Sequence, residues 1–147
     1  MDRISRDQMC MEFALAAAKR STCLRRQIGA VIAVGGRPLA IGYNGAPSGL
    51  PHCTPTTCNE TTPCKNTVHA EMNAIAWAAR MGVATSHAYL YTTVSPCWDC
   101  AKAIISTGIK RVVYREWYRL IEPIDLLNQA GVYVCSIDQN GNVNRAG

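Results

Sequence analysis

The sequence predicts an α/β protein, a three-layer α/β/α sandwich around a mixed five-stranded sheet, on three observations. Short β-branched and aromatic runs recur at residues 27–34, 38–43, 88–94, 111–114 and 132–137. Gly35-Gly36 joins the first two as a tight two-residue turn, which makes that pair an antiparallel hairpin. From there on strands alternate with helix-spaced stretches, the pattern of parallel pairing through crossover helices.

Residues 6–19 set Met9, Phe13, Ala16 and Ala17 on one helical face, so a first amphipathic helix is expected to pack on the sheet. After the hairpin, residues 44–66 are rich in Pro, Gly, Thr and Cys and show neither period. A loop of this length is commonly functional or tied down. Residues 68–81 read as a second helix with Met72, Ile75, Ala76 and Ala79 on its apolar face and Gly82 as C-cap, which places His69 and Glu71 in its first turn. Pro96 opens a third helix over residues 97–107 that stops at Gly108, and residues 123–130 form a fourth closed by Gly131.

A chain of 147 residues, 48% hydrophobic and 17% charged, can bury a full core and is expected to form one domain over residues 1–147. No stretch approaches the roughly twenty apolar residues of a membrane span, and residues 1–7 mix charged and small side chains, unlike an export signal. No membrane partner is expected, and the expected compartment is the cytoplasm. There, eight cysteines with two clustered groups fit thiolate metal ligation better than disulfides. Lys+Arg 15 against Asp+Glu 10 gives +5, which suits an anionic small molecule. Two zinc sites, one of them with four thiolates, would bring that to about +3, so charge alone gives no case for a polynucleotide partner.

The strongest signal is His69-Ala70-Glu71 followed by Pro96-Cys97-Trp98-Asp99-Cys100. One imidazole and two thiolates make three zinc ligands and leave the fourth position open, the arrangement of a catalytic site, where the pKa of bound water falls from about 15.7 towards 7. Both motifs fall at helix starts, whose unpaired N–H groups and dipole favour thiolates at Cys97 and Cys100. Glu71 stands where a carboxylate can relay protons to a ring nitrogen and a departing amine, and the ordered pair of motifs is the signature of zinc nucleobase deaminases.

With these motifs, the runs at residues 21–32 and 42–49, His52-Cys53 and residues 95–105, the chain resembles the deoxycytidylate (dCMP) deaminases, within the wider cytidine deaminase-like fold. The resemblance implies hydrolysis of dCMP to dUMP and ammonia for thymidylate synthesis, in a homohexamer activated by dCTP and inhibited by dTTP. It places the regulatory nucleotide, with a possible Mg²⁺ on its triphosphate, near Gly42, Tyr43, Asn44 and Gly45. It also implies substrate contacts from Asn44, Ala70 and Ser95. Asn44 is matched to a contact with the sugar 3′-hydroxyl, although a turn role fits its local chemistry equally.

A monophosphate needs cations or donors, and Arg25, Arg26, Lys102, Arg115 and Tyr118 are available; Arg26 and Tyr118 are the expected pair. Trp98 and Trp117 are candidates to flank the base or fill an interface between subunits. Cys53, Cys58 and Cys64 in the long loop, with Cys23 just before the first strand, supply four sulfurs for a second, structural zinc, with His52 as substitute ligand. Cys10 and Cys135 are expected to be core thiols. Two rival readings share the motifs: a deaminase acting on tRNA or single-stranded nucleic acid, and a zinc-stabilised nucleotide-binding module without catalysis.

Overall fold

A computed structural model describes residues 2–58 and 64–146, so residues 59–63 of the expected long loop lie outside the described residues. In chain order the elements are α1 (Arg6–Ala18), β1 (Gly29–Val34), β2 (Arg37–Tyr43), α2 (Ala70–Met81), β3 (Tyr89–Val94), α3 (Trp98–Ser106), β4 (Arg111–Glu116), α4 (Glu122–Gln129), β5 (Tyr133–Ile137) and β6 (Val143–Arg145). The hairpin is where the glycines put it: Gly35 and Gly36 both have positive φ, 59° and 75°, as a twist-matched two-residue turn requires.

The strand order is β2-β1-β3-β4-β5-β6. β3, β4 and β5 run parallel, whereas β1 is antiparallel to both β2 and β3. The mixed α/β sheet is as expected but has six strands instead of five, because β6 adds an antiparallel edge to β5. Its three residues, Val-Asn-Arg, are all exposed and too few to show a period.

Alternation along the strands sends two apolar sets to opposite faces. Val31, Ala33, Tyr91, Val113 and Ile137 meet Cys10, Met11 and Ala14 of α1 on one side. Ala30, Ile32, Leu90, Val112 and Val134 meet α2, α3 and α4 on the other. Cys10 and Cys135 are buried thiols, as expected.

The helix faces differ from the pattern expected of them. α1 buries Cys10, Met11, Ala14, Ala17 and Ala18, leaving Phe13 45% exposed and Ala16 at the surface. α2 buries Ala70, Glu71, Ala74 and Ala78, while Met72, Ala76 and Ala79 are exposed and Ile75 is partly covered. The cause is close approach. A Cβ on Gly29 would lie 2.0 Å from the Ala14 carbonyl oxygen, and one on Gly42 would lie 2.2 Å from that of Ala70 and 2.4 Å from the Ala74 nitrogen. Helices this near a sheet turn alanines inward, and their larger side chains face out.

One polar cluster ties α1 to the sheet. Arg111 donates to both Asp7 oxygens at 2.7 and 2.9 Å, and the Tyr91 hydroxyl donates to Oδ1 at 2.6 Å. Burial pushes the Asp7 carboxyl up, but the hydrogen bonds from Arg111 and Tyr91 and the Arg111 charge outweigh it and hold the carboxyl below its ordinary value. A depressed acid stabilises the fold above its unfolded pKa of about 3.9 and loses that contribution as pH falls through the lower folded value. Asp7→Asn should therefore cost about 2 kcal/mol at pH 7. In denaturant unfolding, the gap from wild type should close on acidification below the folded Asp7 value.

Candidate active site

Two helix starts on the same side of the sheet build the centre. His69 is the N-cap of α2 and Cys97 the N-cap of α3, each in extended backbone (φ −66°, ψ 151° and φ −78°, ψ 176°), so each sits one residue before its helix. Glu71 is in the first turn of α2, as the sequence predicts, and Cys100 is in that of α3. Asn73 Nδ2 donates to the Tyr43 carbonyl at 2.7 Å, and Gly42 admits the α2 backbone, so the end of β2 fixes where α2 begins.

His69 Nδ1 lies 3.4 Å from both Cys97 Sγ and Cys100 Sγ, and the three donor atoms all fall within 4.8 Å of one another. Zinc bonds of about 2.0–2.3 Å at tetrahedral angles place nitrogen and sulfur about 3.5 Å apart, so the residues fit the ion. The Cys97 thiol is pushed down to about 4, chiefly by the hydrogen bond from Cys100, helped by His69 and the Cys100 N–H against the cost of burial. Cys100 is pushed up by donating that bond, by burial and by Glu71. A divalent cation held by the three donors would supply the charge that keeps both sulfurs as thiolates. The hydrogen bond to Cys97 raises the His69 pKa, against burial. Glu71 is 4% exposed, and burial pushes its carboxyl up to about 7, where it can take up and give back a proton at neutral pH.

These groups open into a cleft of about 540 Å³ at the ends of the strands. His69, Glu71 and Cys97 line it together with Ile28, Asn44, Val94 and Ser95, and Arg25, Arg26, Tyr118 and Arg119 are among the other lining residues. Four expected substrate residues, Asn44, Ser95, Arg26 and Tyr118, are therefore together. Ala70 is not among the lining residues; it is fully buried beneath Gly42. Ser95 Oγ accepts the Tyr118 N–H at 2.7 Å, which fastens the segment after β4 to the wall.

Arg26 donates to Glu116 at 3.0 Å and stacks 4.9 Å from the centre of the Tyr118 ring, and Arg119 packs 4.7 Å from the same ring. Arg119 escaped the sequence reading. Its signal was its place just beyond β4, at the carboxyl end of a parallel strand, where clefts of such sheets open. Lys102 instead pairs with Asp99 at 3.1 Å and Arg115 bonds the Ile137 carbonyl at 2.9 Å, neither in the cleft. Trp98 and Trp117 are 44% and 56% exposed and do not line it either.

The structure does not gather the sulfurs expected to share a second zinc. Among the described residues, His69, Cys97 and Cys100 form the one set of three or more candidate ligands within 4.8 Å. Cys23 and Cys64 both line the cleft, and Cys53 and Cys64 flank Thr67 Oγ1 at 3.9 and 3.2 Å. Exposed His52 and half-buried Cys58 belong to no such set. The residues expected at a regulatory site have packing roles: Gly42 admits α2, and a Cβ on Gly45 would meet Thr22 Oγ1 at 2.6 Å.

A three-ligand zinc centre with a buried acid beside it, at the carboxyl end of a mixed sheet, defines a zinc hydrolase site. The cytidine and deoxycytidylate deaminase zinc-binding region matches residues 4–116, and the chain belongs to that family. It is 43% identical over 141 residues to ComE operon protein 2 of Bacillus subtilis, covering 94% of this chain and 74% of that protein. To the deoxycytidylate deaminase of Enterobacteria phage T4 it is 32% identical, covering 92% and 91%. The structure of the dCMP deaminase from cyanophage S-TIM5 in complex with dCMP and dUMP superposes with a TM-score of 0.84 at 33% identity, covering 93% of this chain and all of that one.

Proposed function

We propose that this chain hydrolyses the C4 amino group of dCMP, releasing dUMP and ammonia and so supplying dUMP for thymidylate synthesis. The observation that carries the reading is one cleft joining the His69, Cys97 and Cys100 centre and Glu71 to the paired guanidiniums around Tyr118. Zinc bound there supplies a Lewis acid that makes water nucleophilic at neutral pH. Glu71 takes the proton of the attacking water and returns protons to the ring nitrogen and the departing ammonia, a task that suits a carboxyl poised near neutrality. Asn44 meets the sugar 3′-oxygen, Ser95 flanks the base, and Arg26 and Arg119 take the phosphate. The relatives named for this activity and the complex with dCMP and dUMP support the assignment.

The reading extends to regulation by dCTP and dTTP near Gly42–Gly45, with Mg²⁺ accompanying the triphosphate, in a homohexamer of single-domain chains in the cytoplasm. No helix among the described residues is long and apolar enough to cross a membrane. A structural zinc on Cys23, Cys53, Cys58 and Cys64, with His52 as substitute, would pin the long loop; the Cys53–Thr67–Cys64 contact supports the part of that site nearest the cleft.

Phosphate recognition gives the test. Arg26 is already paired with Glu116, whereas Arg119 has no carboxylate partner among the described ion pairs, so Arg119 brings the larger uncompensated charge. Arg119→Ala should raise KM for dCMP about tenfold or more, with turnover of deoxycytidine, which lacks the phosphate, unchanged. Equal losses on both substrates in steady-state assays would remove the phosphate role.

A further inference from the structure

Residues 21–28 link α1 to β1 without regular structure, yet Cys23, Arg25, Arg26 and Ile28 of this link line the cleft. A single side chain from the end of β2 holds it. Asn44 Oδ1 accepts the Ile28 N–H at 2.8 Å, Asn44 Nδ2 donates to the Arg26 carbonyl at 2.6 Å, and the Asn44 N–H donates to the Ile28 carbonyl at 3.2 Å. Ser21 completes the arrangement. Its hydroxyl lies 2.7 Å from the Asn44 carbonyl and 2.5 Å from Oδ1, and it accepts the Cys23 N–H at 3.2 Å. Both side chains are buried, at 8% and 5% exposure, and glycine at position 45 leaves room for Thr22 beside them.

The valences then decide what Asn44 can offer. A carboxamide oxygen has two lone pairs: the Ile28 N–H occupies one, and the single hydrogen of the Ser21 hydroxyl, shared with the Asn44 carbonyl but nearer Oδ1, faces the other. The amide nitrogen has two hydrogens, and Arg26 takes one. We infer that Ser21 is a positioning residue, which by filling the second lone pair of Asn44 Oδ1 makes Asn44 an obligate donor to the sugar oxygen of the nucleotide while holding the Arg25-Arg26 link in place. Without the Ser21 hydroxyl, Oδ1 has a free lone pair and the amide one fewer tether, so the remaining N–H is no longer fixed on the sugar. The inference rests on the reading of Asn44 as a sugar contact.

The test compares dCMP with 2′,3′-dideoxycytidine 5′-monophosphate, which lacks the 3′-oxygen, on the zinc-loaded enzyme. Loss of one hydrogen bond to an oriented donor should give wild type a preference for dCMP of about tenfold in kcat/KM. Ser21→Ala should reduce that preference to about twofold at unchanged zinc content, and Ser21→Thr should restore it. If Ser21→Ala does not fold, Ser21→Cys, whose thiol is a weak donor, should show the same loss of preference. A preference that survives in Ser21→Ala or Ser21→Cys but collapses in Asn44→Ala overturns the role of Ser21. A preference that survives in both overturns the sugar contact of Asn44 and the inference with it.

Discussion

Glu71→Gln is expected to keep the bound zinc and the wild-type fold while losing about a thousandfold or more in kcat for dCMP. The substitution preserves shape and hydrogen-bonding capacity but removes the titratable proton. At 4% exposure, with burial holding its carboxyl up near 7, Glu71 has no structural need to be ionisable. An amide in its place should be tolerated by the fold, because a buried carboxylate costs desolvation that a neutral amide does not. Zinc analysis, thermal unfolding and single-turnover kinetics on the same preparation separate these quantities. Comparable turnover in variant and wild type would take Glu71 out of the mechanism.

Removing the metal is the second large effect. Chelation should abolish deamination and added zinc restore it, with the far-ultraviolet circular dichroism nearly unchanged, because both apolar clusters of the sheet are built from residues other than the three ligands. Cys100→Ala should weaken zinc binding by more than about a hundredfold, since even partners outside the ligand set cost 10–100-fold. Cys100 is fully buried, and the truncation leaves its partners His69 and Cys97 one donor short. Metal analysis also addresses the second site: two zinc ions per chain, falling to one in Cys58→Ala, is the expected count. One zinc in both proteins would remove the structural site.

The centre was legible because its chemistry is local. His-x-Glu and Cys-x-x-Cys each sit at the start of a helix whose extent Pro96, Gly82 and Gly108 help mark in the sequence, and two such starts on one face of the sheet bring the ligands together. The hairpin and the parallel pairing of β3, β4 and β5 were legible for similar reasons, through Gly35-Gly36 and the strand and helix alternation. What the sequence hid depends on distance across the fold. The inward alanines of α1 and α2 follow from the glycines at positions 29 and 42 on strands far from them in the chain. A period read from the large apolar residues alone picks out Phe13 and Met72, which face out. β6 is too short and polar for a pattern, and Arg119 lines the cleft from a segment after β4 that the Ser95 hydroxyl ties to the wall, a contact across the fold. The resemblance covered the substrate and the oligomer, about which spacing and composition say nothing.

The most direct test follows dCMP incubated with the purified zinc-loaded protein, with dUMP and ammonia quantified together by chromatography and enzymatic ammonia assay. The expected result is equal amounts of both, formed at a rate proportional to enzyme. Unchanged dCMP, in a preparation that deaminates a single-stranded DNA or tRNA oligonucleotide under the same conditions, would contradict it and transfer the cleft to a polynucleotide substrate.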